Sequence, residues 1–352
     1  MININTLTDF LEQANTQFCV YDLGRKVSEI SNTDFVTICS NKKPYPYPIQ
    51  KQAYFALTFW QVPTKKEHFI WFLKIPLDEK GLLKISAQTS FIQSVIGAMG
   101  HDLTAKINKQ QQQHLAQNPF IFKPNTEKLA IFNALINTIF VRPPSLFYNT
   151  AHSYFSGENT WSAWENIGIQ GIADICARLN TDNNQQHLIN AIKLLPQQPL
   201  QSLALCLESQ KDINPPLAKV IAQQARIELE NDHPNNAILL LRAISNASDK
   251  NIFNALLDEQ FKSTLIHNPH WYISIVGRCW HHLEDDSRLN QFFEALATHQ
   301  SSLFSALFTD LVAIPLLREK VLKQLRLNTR SNALSEAIGH LFSSINNKHI
   351  DV

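Results

Sequence analysis

The spacing of apolar residues changes near residue 120. Before that point short alternating runs predominate. In "HFIWFLKI", Phe69, Trp71, Leu73 and Ile75 fall on one face while Ile70 and Phe72 fall on the other. Apolar residues on both faces predict a central strand covered on two sides, and "AYFALTFWQV" reads the same way. "QFCVYDLGRKVSEI" predicts two shorter strands broken at Leu23-Gly24, and "FVTIC" (35–39) predicts another. "PLDEKGLLKI" predicts a hairpin turning at Gly81. Helices are expected at 6–16, where Leu7, Phe10, Leu11 and Ala14 share a face, and from about Gln88 to His114.

Beyond residue 120 nearly everything carries helical spacing. "NPFIFKPN" (118–125) marks the boundary, a helix follows at Thr126–Phe140, and 141–160 reads as an irregular connection. Connections of that length are commonly functional, or else packed as loops of their own. From Trp161 onward helices of roughly 11 to 17 residues alternate with Pro, Asn and Asp. Pro199, Pro234 and Pro269 recur at steps of 35 residues. Four positions beyond each lie Leu203, Ile238 and Ile273; seven beyond lie Cys206, Leu241 and Val276. Proline in a first helical turn costs no hydrogen bond, and each hairpin then has an apolar stripe that a neighbouring hairpin can bury. The expected architecture is an α+β module with a mainly antiparallel sheet (1–120), a helix with an irregular connection (121–160), and an all-α, HEAT- or tetratricopeptide-like α-solenoid of about 35-residue repeats (161–345). The competing reading is an irregular helical bundle.

Composition narrows the function classes. Lys and Arg number 31 against 30 Asp and Glu, a formal charge of +1, so no broad field draws nucleic acid or an anionic membrane. No apolar run approaches the roughly 20 residues that span a bilayer, and the N-terminal stretch lacks signal-peptide character. The five cysteines are scattered without a CxxC, the pattern of reduced, buried thiols in a cytoplasmic protein.

The segments "TLTDFLEQANTQF", "YDLGRKV", "PYPYPIQKQAYFALTFW" and "HFIWFLKIPLDEKGLL" resemble an uncharacterised gammaproteobacterial family, domain of unknown function 3549. The resemblance implies a bacterial cytosolic protein and supplies no activity, cofactor or site residue.

Candidate chemistry is sparse. "IHNPHWYISIVGRCWHHLEDD" gathers His267, His270, Cys279, His281, His282, Glu284, Asp285 and Asp286. On a helix over Pro269–Leu283, His281 and His282 would point about 100° apart, so no metal site is assigned. His101 beside Asp102 suggests acid–base chemistry, but no nucleophile motif accompanies it. Phosphate-cradle motifs are absent. The glycines of "GIQGIADI" (168–175) fit close helix packing. "LLREKVLKQLRLNTR" (316–330) collects Arg318, Lys320, Lys323, Arg326 and Arg330, of which Lys323, Arg326 and Arg330, spaced by three and four, share one expected helical face. "PYPYP" is expected to be extended, either laying its tyrosines across a core or presenting Tyr45 and Tyr47 as aromatic anchors.

The resulting expectation is a binding protein without a cofactor, whose partner is another protein. Its candidate contact residues are Tyr45, Tyr47, Arg318, Lys323, Arg326 and Arg330; no catalytic residue is assigned. Two alternatives accompany it. One is an enzyme with a site between the two regions; the other is an RNA- or DNA-associated accessory protein using the 318–330 stripe.

Overall fold

The computed structural model describes residues 4–61, 67–99 and 108–348. His101, Asp102 and the middle of the helix expected over 88–114 lie outside these residues. The chain divides into two compact units: Met1–Lys128 with Ala313–Pro315, and Leu129–Val312 with Leu316–Val352.

The first unit is α+β. Its elements are α1 (Leu7–Gln13), β1 (Thr16–Asp22), β2 (Ser28–Ile30), α2 (Asn32–Cys39), β3 (Gln52–Gln61), β4 (Phe69–Pro76), α3 (Ile85–Met99) and α4 (Lys109–Ala116). Four antiparallel strands stand in the order β2-β1-β3-β4. Period-2 alternation sends Val20, Phe55, Leu57, Phe59, Leu73 and Ile75 to one face, where they meet Phe10, Phe35 and Phe91 from the helices. Each fully enclosed phenylalanine contributes about 1.5–3 kcal/mol relative to exposure.

β3 is central and covered, whereas β4 is half-buried. The outer edge of β4 is bridged at Leu73 by Ile121, and the Lys74 amide donates to the Phe120 carbonyl. The expected hairpin at Gly81 is present: Gly81 has φ 81°, and Asp78 Oδ1 accepts from the Lys80 and Leu82 amides.

"FVTIC" is helical, not extended. The Ser31 hydroxyl accepts from the Asp34 amide and caps α2, and Asp34 lies in the first turn. Cap and helix dipole outweigh the β-branched run.

The second unit is helical. In chain order follow α5 (Thr126–Ile139), which starts at the division, α6 (Tyr148–Phe155), α7 (Ile169–Ala177), α8 (Asn184–Ala191), α9 (Gln197–Leu207), α10 (Pro215–Glu230), α11 (Pro234–Ala243) and α12 (Lys250–Gln260). They are succeeded by α13 (Pro269–Arg278), α14 (Asp286–His299), α15 (Ser301–Ala313), α16 (Pro315–Gln324) and α17 (Asn332–Lys348). α6 thus occupies part of the stretch expected to be irregular.

Consecutive helices pair, α6 with α7 and α10 with α11, and contacts also join every second helix. α7 lies on α9, α9 on α11 and α11 on α13; α6 lies on α8, α8 on α10 and α10 on α12. Polar ties bridge similar separations: Gln201 to Asn236, 35 apart; Glu208 to Arg242, 34 apart; and His281 to the Ser245 carbonyl, 36 apart. Glu208 also accepts from Arg278, 70 residues on.

Pro234 and Pro269 open their helices, while Pro199 is the third residue of α9. Cys206, Leu241 and Val276 are all buried. Ile273 departs from its series and is 45 % exposed, because Trp271 and Tyr272 occupy the inward positions of α13.

Candidate functional site

The most distinctive surface of the second unit grows out of the end of α5. The Arg142 amide donates to the Asn137 carbonyl and the Val141 amide to that of Thr138. These are the two bonds of a Schellman termination, which requires a left-handed residue between them. Glycine is the usual occupant; here it is Val141, with φ 52°. A β-branched side chain in this region is strained, and its 92 % exposure means that packing does not repay the strain. Leu146 at 97 % and Phe147 at 56 % exposed stand a few residues further along.

The loop carrying them is held from beneath by α7. A Cβ on Gly171 would lie 2.6 Å from the Phe147 carbonyl oxygen, so only glycine admits this approach. One turn later the enclosed Asp174 carboxylate accepts from the Ser145 amide (3.0 Å) and pairs with Arg178 Nη1 (3.3 Å). Arg178 Nη2 donates to the Arg142 carbonyl (3.2 Å). The next turn is fixed by α6. Asp182 and Asn183 both have positive φ; Tyr148 donates to Asp182 Oδ2 (2.6 Å), and Asn184 Nδ2 donates to the Tyr148 oxygen (2.9 Å). Burial pushes the Tyr148 phenol above its ordinary range, with the Asp182 hydrogen bond acting in the same direction.

Between these turns lies an open pocket of about 640 Å³, with Arg142, Arg178, Lys211, Asp182 and Asp212 on its walls. The Arg178 side chain is only 10 % exposed. Of its five N–H donors, its two described contacts use one from Nη1 and one from Nη2. The arrangement supplies directional donors next to exposed apolar side chains. Among the described residues no three His, Cys, Asp or Glu side chains are grouped to hold a metal ion.

The residues singled out in the sequence lie elsewhere. Tyr45 is not a surface anchor: it is fully buried, its ring against Phe55, and its hydroxyl donates to Asp22 Oδ1 at 2.6 Å. Tyr47 is half-buried beside it. The proline-rich entry clasps the "YDLGRKV" turn, since Arg25 donates from Nε and Nη2 to the Pro48 carbonyl. Asp22 Oδ1 also accepts from the Gly24 amide and Oδ2 from that of Arg25, while Lys128 Nζ donates to the Leu23 and Gly24 carbonyls. Burial raises the Asp22 carboxyl from 3.8 to about 6, opposed first by the Tyr45 hydroxyl and then by the Gly24 amide.

The basic stripe is interrupted because α16 stops at Gln324, so Arg326 and Arg330 do not continue its face. Arg326 is exposed, Arg330 donates to the Leu325 carbonyl, and Arg318 to that of Val312. Lys323 and Lys320 both pair with Asp286.

The expected divergence of His281 and His282 is likewise corrected. α13 ends at Arg278, and residues 280–284 form a tight 3₁₀ turn. Both Nε2 atoms lie 2.8 Å from the Ser245 carbonyl oxygen, and the His282 ring stacks on Phe253 at 3.6 Å.

Fold and site together define an α+β unit joined to a helical unit that carries a braced, apolar-tipped loop beside a charged pocket. Residues 2–342 match the family model described as "Protein of unknown function (DUF3549)", and the chain belongs to that family. No curated protein and no solved structure matches it.

Proposed function

We propose that this protein is a polypeptide-binding scaffold or adaptor, with the helical hairpins of its second unit arranged as a HEAT- or tetratricopeptide-like array. The alternating packing of α7 to α13 and the polar ties near 35 residues support that arrangement. The binding role rests on one observation. Val141, Leu146 and Phe147 are displayed to solvent on backbone that Gly171, Asp174 and Arg178 hold in place. Exposed apolar side chains on a fixed frame lose little entropy when covered, which favours recognition. The pairing of Lys320 and Lys323 with Asp286 leaves the accessory nucleic-acid reading without a comparable feature.

The test is photo-crosslinking in the source organism, with p-benzoylphenylalanine placed at Leu146, at Phe147 or at the exposed control Leu322. Discrete adducts with another polypeptide are expected at 146 and 147 and not at 322. Equal labelling at all three positions, or no adduct at any, overturns the proposal.

A further inference from the structure

The geometry points to an acidic, apolar-flanked segment of the partner polypeptide as the occupant: one Asp or Glu carboxylate enters the pocket at Arg178, and its apolar neighbours cover Val141, Leu146 and Phe147. This rests on the polypeptide-binding reading above and specifies its chemistry.

Donor capacity comes first. Arg178 is nine-tenths buried, so most of its desolvation has already occurred in the unbound protein. Asp174 accepts from Nη1 and the Arg142 carbonyl from Nη2, leaving further N–H donors on a guanidinium that lines the pocket. A second carboxylate there would form charge-assisted hydrogen bonds in a shielded setting. Arg142 and Lys211 stand on the same walls, the Arg142 guanidinium resting over the Phe140 ring at 5.0 Å.

Charge balance then decides which anion. Asp182 and Asp212 also line the pocket. The Asp182 carboxylate is held by the Tyr148 hydroxyl at 2.6 Å, so it stays in place as a fixed negative charge. A single carboxylate brings one negative charge up against these acids; a polyphosphate backbone brings several. The adjoining apolar tips select in the same direction, since they reward aliphatic or aromatic neighbours that a phosphate chain does not carry.

The experiment is selection of a displayed random library of linear peptides on the full chain. The best sequence is then synthesised with a fluorescein label and measured by anisotropy. Enriched peptides are expected to carry Asp or Glu next to Leu, Ile, Phe or Trp. Converting that acid to its amide should weaken binding about 10-fold, the scale of one charged hydrogen bond. R142Q and K211Q should each weaken it several-fold, and L146S/F147S about 10-fold or more, with circular dichroism unchanged. R178Q should abolish binding; because Asp174 then loses its partner, the exposed pair L146S/F147S and the peptide's own acid-to-amide change serve as the measurements that leave the buried contacts intact.

Failure to enrich any peptide, enrichment without an acid, or indifference to the amide replacement overturns this inference. So does tight binding of a labelled single-stranded oligonucleotide that K211Q removes. Adducts at Leu146 combined with acid-independent peptides would keep the binding reading and discard this one; loss of the adducts discards both.

Discussion

Replacing Tyr45 with Phe tests the buried centre of the first unit. The Tyr45 hydroxyl donates to Asp22 Oδ1 at 2.6 Å, and the carboxylate's other described donors are the Gly24 and Arg25 amides. Because burial lifts the Asp22 carboxyl from 3.8 to about 6, the native state holds a proton that the unfolded chain releases. Stability from this group is therefore fully present below pH 4, falls as pH climbs to about 6, and is flat above. At 1.36 kcal/mol per pH unit, the separation of these two values is worth about 3 kcal/mol. Tyr45 is the strongest influence opposing the rise, so Y45F should push the carboxyl higher and extend the decline toward neutral pH. The lost bond to an ionised group costs about 1.5–3 kcal/mol at pH 8, against roughly 0.5–1.5 kcal/mol at pH 4, where the acid is neutral. Hydrogen exchange of the 18–30 segment from pH 4 to 8, with carboxyl ¹³C titration of Asp22, measures both effects. Equal destabilisation at pH 4.5 and pH 8 would refute the reasoning.

Three further outcomes follow from the second unit. V141G should raise stability by about 1 kcal/mol, because glycine accepts the left-handed termination without strain; calorimetry should show a higher Tm. G171A should lower stability by about 1–3 kcal/mol, since the added methyl meets the Phe147 backbone and not a yielding side chain, and chemical denaturation would reveal it. H282A removes a hydrogen bond to the Ser245 carbonyl and the stack on Phe253, and should cost about 2–4 kcal/mol in the same assay.

Where local chemistry sets the structure, the chain was readable. The strand pattern of 52–61, the turn at Gly81, and the helix starts at Pro234 and Pro269 all follow from side-chain periodicity or fixed φ. The structure departs from the local pattern where a cap or a distant contact intervenes. Ser31 converts "FVTIC" to a helix, and Trp271 with Tyr272 displaces Ile273 outward. The tight turn after Arg278 brings together two histidines that a continued helix would separate. The family resemblance included both "YDLGRKV" and "PYPYP", yet nothing local says that Tyr45 reaches Asp22 across 23 residues. The candidate site was harder still, since Arg142, Ser145, Asp174, Arg178 and Asp182 acquire their meaning through pairing in space. One signal was available: paired glycines in "GIQGIADI" mark a close approach, and Gly171 makes it against the very connection suspected of function.

Glu208 has a mechanical consequence. Its one carboxylate at the end of α9 holds Arg242 of α11 and Arg278 of α13, so three helices share a single clamp. Removing α13 from this arrangement leaves the clamp half-closed on Arg242, and the contact it loses links residues 70 apart in the chain. Loosening any one of α9, α11 and α13 therefore perturbs the contacts of the other two.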